Sequence, residues 1–184
     1  MNSRPLIFLG SLLPVLAMAV LGRLIPHPAN VTPIVATALF MSAFGGAQFT
    51  GSRFAKIGAV ILPLAAMFVS DLALGFHNQM FSVYGSIVLI SLIGFALAEK
   101  RSAGRVIVAS VAGSTLFFLI TNFTVWLAGE MYAKTSTGLV ECYTLALPFY
   151  RNGLIGDLAY SGLLFGAWAL LANASTTSKV KGTI

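Results

Sequence analysis

The stretch RLIPHPANVTPIVATALFMSAFGG (Arg23–Gly46) joins a polar, proline-rich segment to a long apolar run. We call its first part, Arg23–Pro33, the hook; it follows another apolar segment and contains three prolines. Proline fixes its own φ and biases the preceding residue toward extended backbone, so the hook is predicted to be stiff. Pro33 falls in the first turn of the next segment, where its missing N–H costs a helix little. The pattern predicts two apolar helices joined by a rigid turn.

The composition of the whole chain indicates that lipid is its main solvent. Of the 184 residues, 58% are hydrophobic and only 9% are charged, and the mean hydropathy is +0.91. Soluble domains carry about 25% charged residues. At about 20 residues per span, this length accommodates five or six membrane-spanning helices with short loops. We therefore expect a single transmembrane domain over residues 1–184.

Apolar segments recur along the chain, each near the length that crosses a hydrocarbon core of about 30 Å. The six segments cover residues 6–24, 31–49, 57–76, 84–98, 106–127 and 154–171. A segment in lipid must satisfy its own backbone hydrogen bonds, which favours a helix. The moderately apolar residues 128–153 are predicted to form an outer cap with a short interfacial helix. The predicted fold is all-α, a polytopic six-helix transmembrane bundle.

Lysine and arginine are distributed unequally between the two sets of connections. One set, with both termini, holds eight of them: Arg4, Arg53, Lys56, Lys100, Arg101, Arg105, Lys179 and Lys181. The other set holds Arg23, Lys134 and Arg151. Because basic residues concentrate in cytoplasmic loops, both termini of this multi-pass protein are predicted to be cytoplasmic. This orientation explains the net charge of +6, so no nucleic-acid partner is expected.

Polar side chains interrupt three of the predicted spans. Asp71 and Asn122 each lie five residues before the outer end of a segment, and Asp157 follows Asn152 by five residues, so each is expected about 8 Å below the outer surface. An acid within a span costs about 2.5–3.5 kcal/mol on insertion scales and usually faces the bundle interior. We therefore predict a polar layer that opens outward, whose two acids favour a cationic or multi-donor substrate. The alternative is structural: the acids pair with Arg23 or Arg151, and the asparagine joins helices.

The outer connections add candidate substrate-binding residues. They are Arg23, His27 and Asn30 in the hook, His77 after the third span, and Arg151 before the sixth. The histidines are candidates for ligand contact or pH sensing, with solvated loop positions as the alternative. The hook itself is predicted to be a lid over the polar layer, or else a hairpin that only sets the angle between two helices.

Aromatic residues gather near the outer side, among them Phe149 and Tyr150. An interfacial aromatic belt explains them, and the same rings could line a pocket for a flat organic molecule.

Catalytic and metal-binding patterns are absent from the sequence. It contains no CxxC, HExxH, Walker loop or GxGxxG, and the acids and histidines lack ligand spacing on a single helix. The single cysteine, Cys142, is interpreted as a small apolar residue. The chain is therefore predicted not to be an enzyme and to hold neither metal nor cofactor.

Four motifs carry a family resemblance: RLxPHPxNxTP after the first span, PLxAMxxSD in the third, TNFxVW in the fifth, and GLxxCYxxALPFxRNxxxGD leading into the sixth. They resemble a family of small bacterial integral membrane proteins of unknown function, and this resemblance implies a location in the bacterial inner membrane. In size and architecture the chain is also similar to the substrate-binding S components of energy-coupling-factor vitamin transporters. That similarity implies a micronutrient site under the outer loops and docking on an energising module. The first span lacks the AxxxA docking pattern of S components, and the nearest match is Ala43–Ala47 in the second.

Two functions follow from these observations. The first is a substrate-binding membrane protein for the uptake of a micronutrient or other small molecule. Its partners would be the lipid bilayer, the substrate, and an energising module or other membrane subunits, with a solitary transporter as a variant. The second is a non-catalytic structural subunit of a larger membrane complex, because small-residue pairs such as Gly162 and Gly166 allow close helix contact.

Overall fold

The computed structural model describes residues 4–48 and 53–181, which form six α-helices. They are α1 (Arg4–Leu24), α2 (Ile34–Gln48), α3 (Arg53–Leu74), α4 (Met80–Phe95), α5 (Ala103–Ala128) and α6 (Ser136–Lys181). Each predicted apolar segment overlaps one of them, so the all-α prediction is confirmed for this part of the chain. The extreme termini, at residues 1–3 and 182–184, lie outside the described residues.

The helices differ in their capacity to cross a membrane. Three contain stretches that are long and apolar enough: Lys56–Leu74, Ala103–Ala128 and Ser136–Ala174. The shorter apolar helices cover Gly10–Leu24, Ile34–Gly45 and Met80–Phe95. Large hydrophobic side chains such as Leu13 and Phe81 are exposed on the outside of the bundle. These features indicate a membrane protein whose apolar exterior faces lipid.

Helix α2, the apolar run after the hook, lies at the centre of the bundle. Every side chain from Ile34 to Phe44 is buried, and α2 packs against all five other helices. A helix that is hydrophobic on every side is expected to be buried in this way. Its closest neighbour is α4, where a Cβ added to Gly94 would lie 2.8 Å from the carbonyl oxygen of Leu39. The absence of a side chain at this glycine therefore sets the spacing between α2 and α4.

Helix α6 begins much earlier than predicted. Residues 136–153, which we expected within an outer cap, form its first half, and Pro148 lies inside the helix. This half packs antiparallel to the second half of α5. The Tyr143 hydroxyl donates to the Leu119 carbonyl at 2.7 Å, and the Cys142 thiol lies 3.4 Å from the Asn122 carbonyl. The moderately apolar segment is helical because α5 provides a surface against which it packs, which composition does not reveal.

Candidate functional site

A cavity of about 340 Å³ lies between the helices and is lined by all six of them, together with the hook and the connection between α3 and α4. This volume is at the lower end of the range of about 300–1,000 Å³ for small-molecule sites. Its polar lining consists of Arg23, His27, Asn30, Thr32, His77, Ser114, Thr121, Asn122, Tyr150 and Asp157. The rest of the lining is mainly apolar, so the cavity combines hydrophobic walls with separate polar groups.

An ion pair lies behind one wall of this cavity. Nη2 of Arg23, in the last turn of α1, lies 2.7 Å from Oδ1 of Asp71 on α3. Nη1 of Arg23 donates to the Met67 carbonyl at 3.0 Å and also to the Ser70 hydroxyl. The Tyr84 hydroxyl on α4 donates to Oδ2 of Asp71 at 2.6 Å. The pair and its hydrogen bonds therefore join α1, α3 and α4 and neutralise the charge of Asp71.

The second acid has a different environment. Asp157 on α6 is only 5% exposed and lines the cavity. The Ser114 hydroxyl on α5 donates to its Oδ2 at 2.6 Å, and one turn away the Ser110 and Ser161 hydroxyls are 2.8 Å apart. Asp157 has no ion-pair partner in the part of the chain that the structure describes. The negative charge of an ionised Asp157 is therefore not balanced by the protein's own described side chains.

The predicted polar layer is not a single layer. Asp157 contacts Ser114, which lies eight residues from Asn122 on α5, and eight helical residues span about 12 Å. The expectation of equal depth counted Asp157 from a helix start near Asn152, whereas α6 starts at Ser136. Asn122 also uses its amide N–H₂ locally, because it donates to the Phe118 carbonyl at 2.8 Å. Asp157 and Asn122 therefore line one cavity at different heights.

Two glycines on α6 leave room for the hook to lie close to this helix. Asn30 adopts a left-handed φ of 65° at the centre of the hook. A Cβ added to Gly156 would lie 3.1 Å from Cγ1 of Val31, and one added to Gly153 would lie 3.5 Å from the Asn30 carbonyl oxygen. Small residues at these positions of α6 therefore allow the hook backbone to approach closely, beside the cavity.

The two histidines of the cavity present the same ring nitrogen, Nε2, in opposite hydrogen-bonding roles. Nδ1 of His27 is 2.8 Å from the Pro28 carbonyl, so it must donate, and Nε2 of a neutral ring is left as an acceptor. Nδ1 of His77 accepts from the Gln79 backbone N–H at 3.2 Å, so its Nε2 carries the proton. Both side chains are exposed and lie on connections between helices. They provide one acceptor and one donor at the exposed side of the cavity.

Aromatic rings form part of the cavity wall. Phe117, Phe118, Phe149 and Tyr150 all line the cavity. The ring centroids of Phe118 and Tyr150 are 4.7 Å apart, and the Tyr150 hydroxyl is 2.8 Å from the Thr115 hydroxyl, which orients the ring. Phe149 and Tyr150, which an interfacial belt would also explain, therefore face a pocket.

The structure brings together six of the eight candidate residues: Arg23, His27, Asn30, His77, Asn122 and Asp157 line the cavity. Asp71 does not line it, because this fully buried acid lies behind Arg23. Arg151 is exposed on α6 and is also absent from the lining, although its neighbour Tyr150 is part of it. In a helix, one residue of displacement is enough to turn a side chain to another face.

Three hydroxyl residues of the lining, Thr32, Ser114 and Thr121, were not among the predicted substrate-binding residues. A signal for Ser114 is present, since Ser110 and Ser114 share a face of α5 at i,i+4 spacing, as Asp157 and Ser161 do on α6. Within residues 4–48 and 53–181, no three His, Cys, Asp or Glu side chains come close enough together to hold a metal ion.

Comparisons with known proteins place the chain in one family. No curated protein and no solved structure matches it. A family model described as a family of unknown function, DUF6580, matches residues 2–179, which is nearly the whole chain. This agrees with the resemblance predicted from the four motifs. The chain belongs to this family of unknown function, DUF6580.

Proposed function

We propose that this protein binds a small molecule in the cavity between its helices and serves the uptake of that molecule across the bacterial inner membrane. The observation that carries the proposal is the cavity of about 340 Å³ with the buried carboxyl of Asp157 in its wall. Ligand sites typically combine apolar walls with a few separate polar groups, as this cavity does.

The proposal includes a membrane arrangement in which all six helices span the bilayer and both termini are cytoplasmic. The unequal distribution of lysine and arginine supports this orientation, since basic residues favour the cytoplasmic side. It places the hook and His77 on the outer side, where a substrate arrives. The shorter helix α2 is surrounded by the other helices, so its length need not match the lipid around the bundle.

The analogy with S components of energy-coupling-factor transporters supports a site beneath the connections after the first and third helices. The docking part of that analogy has less support. Ala43, in the AxxxA match of the second span, is fully buried at the centre of the bundle, so it offers no docking surface. We therefore assign substrate binding to this chain, and assign no residue to the docking of an energising module.

Retention of a ligand during purification tests this function. The protein, purified in mild detergent after exposure to a cell metabolite extract, is analysed by mass spectrometry for bound small molecules. Thr121→Trp places an indole in the cavity lining, whereas Leu119→Trp on the same helix adds it at an exposed position outside the lining. We expect wild type and Leu119→Trp to retain the same molecule and Thr121→Trp to lose it. An empty wild-type protein, or equal retention by both variants, would contradict the proposal.

A structural subunit is a second candidate, supported by one observation. A Cβ added to Gly162 or Gly166 on α6 would meet nothing within 4 Å, so the described residues do not use this small-residue face internally. Such faces allow close approach of another helix. Stable co-purification with a fixed set of membrane proteins, lost in a Gly162→Leu variant that still folds, would favour this function over ligand binding.

A further inference from the structure

We propose that the ligand of this cavity is an organic cation with one flat apolar ring, and that Asp157 is its counter-ion. This inference rests on the proposed function, since it names the chemical class of the molecule that the cavity binds. The two acids differ in their surroundings, because Asp71 is paired with Arg23 whereas Asp157 lines the cavity.

Besides the two histidines, the described lining of the cavity contains one basic residue, Arg23, and one acidic residue, Asp157. Arg23 is the only lysine or arginine among the described lining residues, and its charge is balanced by Asp71 at 2.7 Å. Both terminal nitrogens of Arg23 are engaged, Nη1 by Met67 and Ser70 and Nη2 by Asp71. Arg23 is therefore poorly placed to bind an anionic ligand. The acidic group of the described lining is the carboxyl group of Asp157.

The carboxyl group of Asp157 is buried in the wall of the cavity. Asp157 is 5% exposed, and its described polar partner is the neutral hydroxyl of Ser114. An ionised carboxylate offers roughly four lone-pair positions, so one hydroxyl leaves most of them for a ligand. A buried charge is strongly unfavourable unless it is paired and hydrogen-bonded. A ligand cation beside Asp157 would provide the missing pairing.

Aromatic side chains line the cavity near the serine that binds Asp157. Phe117 and Phe118 follow Ser114 by three and four residues on α5, so they lie one helical turn from the serine that holds Asp157. The ring of Tyr150 packs against Phe118 and is oriented by its hydroxyl. Aromatic faces attract cations and also stack on flat rings. The lining is therefore suited to a ring that carries a positive charge at one end.

Three ring compounds of similar shape test this class: 2-phenylethylammonium, the neutral 2-phenylethanol and the anionic 3-phenylpropionate. Their affinities for the full-length protein in detergent are measured by titration calorimetry. We expect wild type to bind the cation at least about ten-fold more tightly than the other two, as desolvated charge pairs imply. Asp157→Asn should remove this preference. Glu141→Gln, which neutralises an exposed acid on the same helix outside the cavity lining, should retain it.

Several results would overturn the inference. Equal affinity of wild type for the three compounds, or preference for the neutral or anionic one, excludes the cationic class while the cavity still binds a molecule. Failure of the wild type to bind 2-phenylethylammonium also overturns it, and the metabolite-retention experiment then decides the proposed function separately. A cation preference that persists in Asp157→Asn removes Asp157 as counter-ion. If that variant does not fold, the comparison of the three compounds on wild type still tests the class.

Discussion

Replacing Asp71 by asparagine is expected to destabilise the protein more than any exposed charge change. Asp71 is fully buried and Arg23 has a side chain that is only 14% exposed. Asp71→Asn keeps the shape and an acceptor oxygen for the Tyr84 hydroxyl, but it leaves the guanidinium without its counter-charge. Removing one partner of a buried ion pair costs about 3–5 kcal/mol. This is a large fraction of a total stability of about 5–15 kcal/mol.

The structure also predicts how much of the lost stability comes from the hydrogen bond of Tyr84 and how much from the unpaired charge of Arg23. Tyr84→Phe removes one hydrogen bond to a charged acceptor, which contributes about 1.5–3 kcal/mol, and leaves the ion pair intact. The double variant Arg23→Gln/Asp71→Asn removes both charges, so no uncompensated guanidinium remains. We expect it to be more stable than Asp71→Asn alone, because much of the cost of the single change is the unpaired partner.

Unfolding measured by circular dichroism in detergent micelles, as a function of denaturant, gives the free energies for these variants. Glu141→Gln is the control, since it alters an exposed acid and should stay within about 0.5 kcal/mol of wild type. Two results would refute the reasoning: a change for Asp71→Asn no larger than that of the control, or a double variant at least as unstable as the sum of its single changes.

Glycine substitutions test the helix contacts. We expect Gly94→Ala to lower the unfolding free energy by about 1–3 kcal/mol, because the added Cβ would lie 2.8 Å from a backbone oxygen of α2. Gly85→Ala on the same helix meets nothing within 4 Å, so an equal effect there would contradict this explanation. Gly156→Ala would place a Cβ 3.1 Å from Cγ1 of Val31 in the hook, and it should lower the melting temperature less than Gly94→Ala does. Gly162→Ala has open space and should not lower it, and a loss as large as that for Gly156→Ala would show that contact with the hook is not the cause.

The positions of the helices were largely predictable from the sequence. Apolar segments in lipid have few alternatives to a helix, because backbone groups there find no water to bond. The segment after the hook became α2, and Pro33, which we expected in its first turn, immediately precedes its first residue, Ile34. This information is local, which explains why it can be read without knowledge of the tertiary structure.

The extent of α6 was not predictable in the same way. Its first half carries Pro148 and only moderate hydropathy, and both features are typical of a connection. The observed helix packs along α5 through Tyr143, Cys142 and Tyr150. This packing placed Asp157 opposite Ser114, deeper in the cavity than a count from Asn152 implied. The depth of a residue in a helix depends on where the helix begins. The early start of α6 accompanies its packing along α5.

The candidate site was predictable as a set of residues, but the roles of its members were not. The sequence by itself predicted that two acids, three basic residues and two histidines lie near one side of an apolar bundle. Only the tertiary structure paired Arg23 with Asp71, turned Arg151 away from the cavity and gave Asp157 a serine as partner. The physical reason is that ion pairing requires contact within about 4 Å. Such contact depends on the rotation and height of each helix relative to its neighbours, and no single segment encodes these quantities.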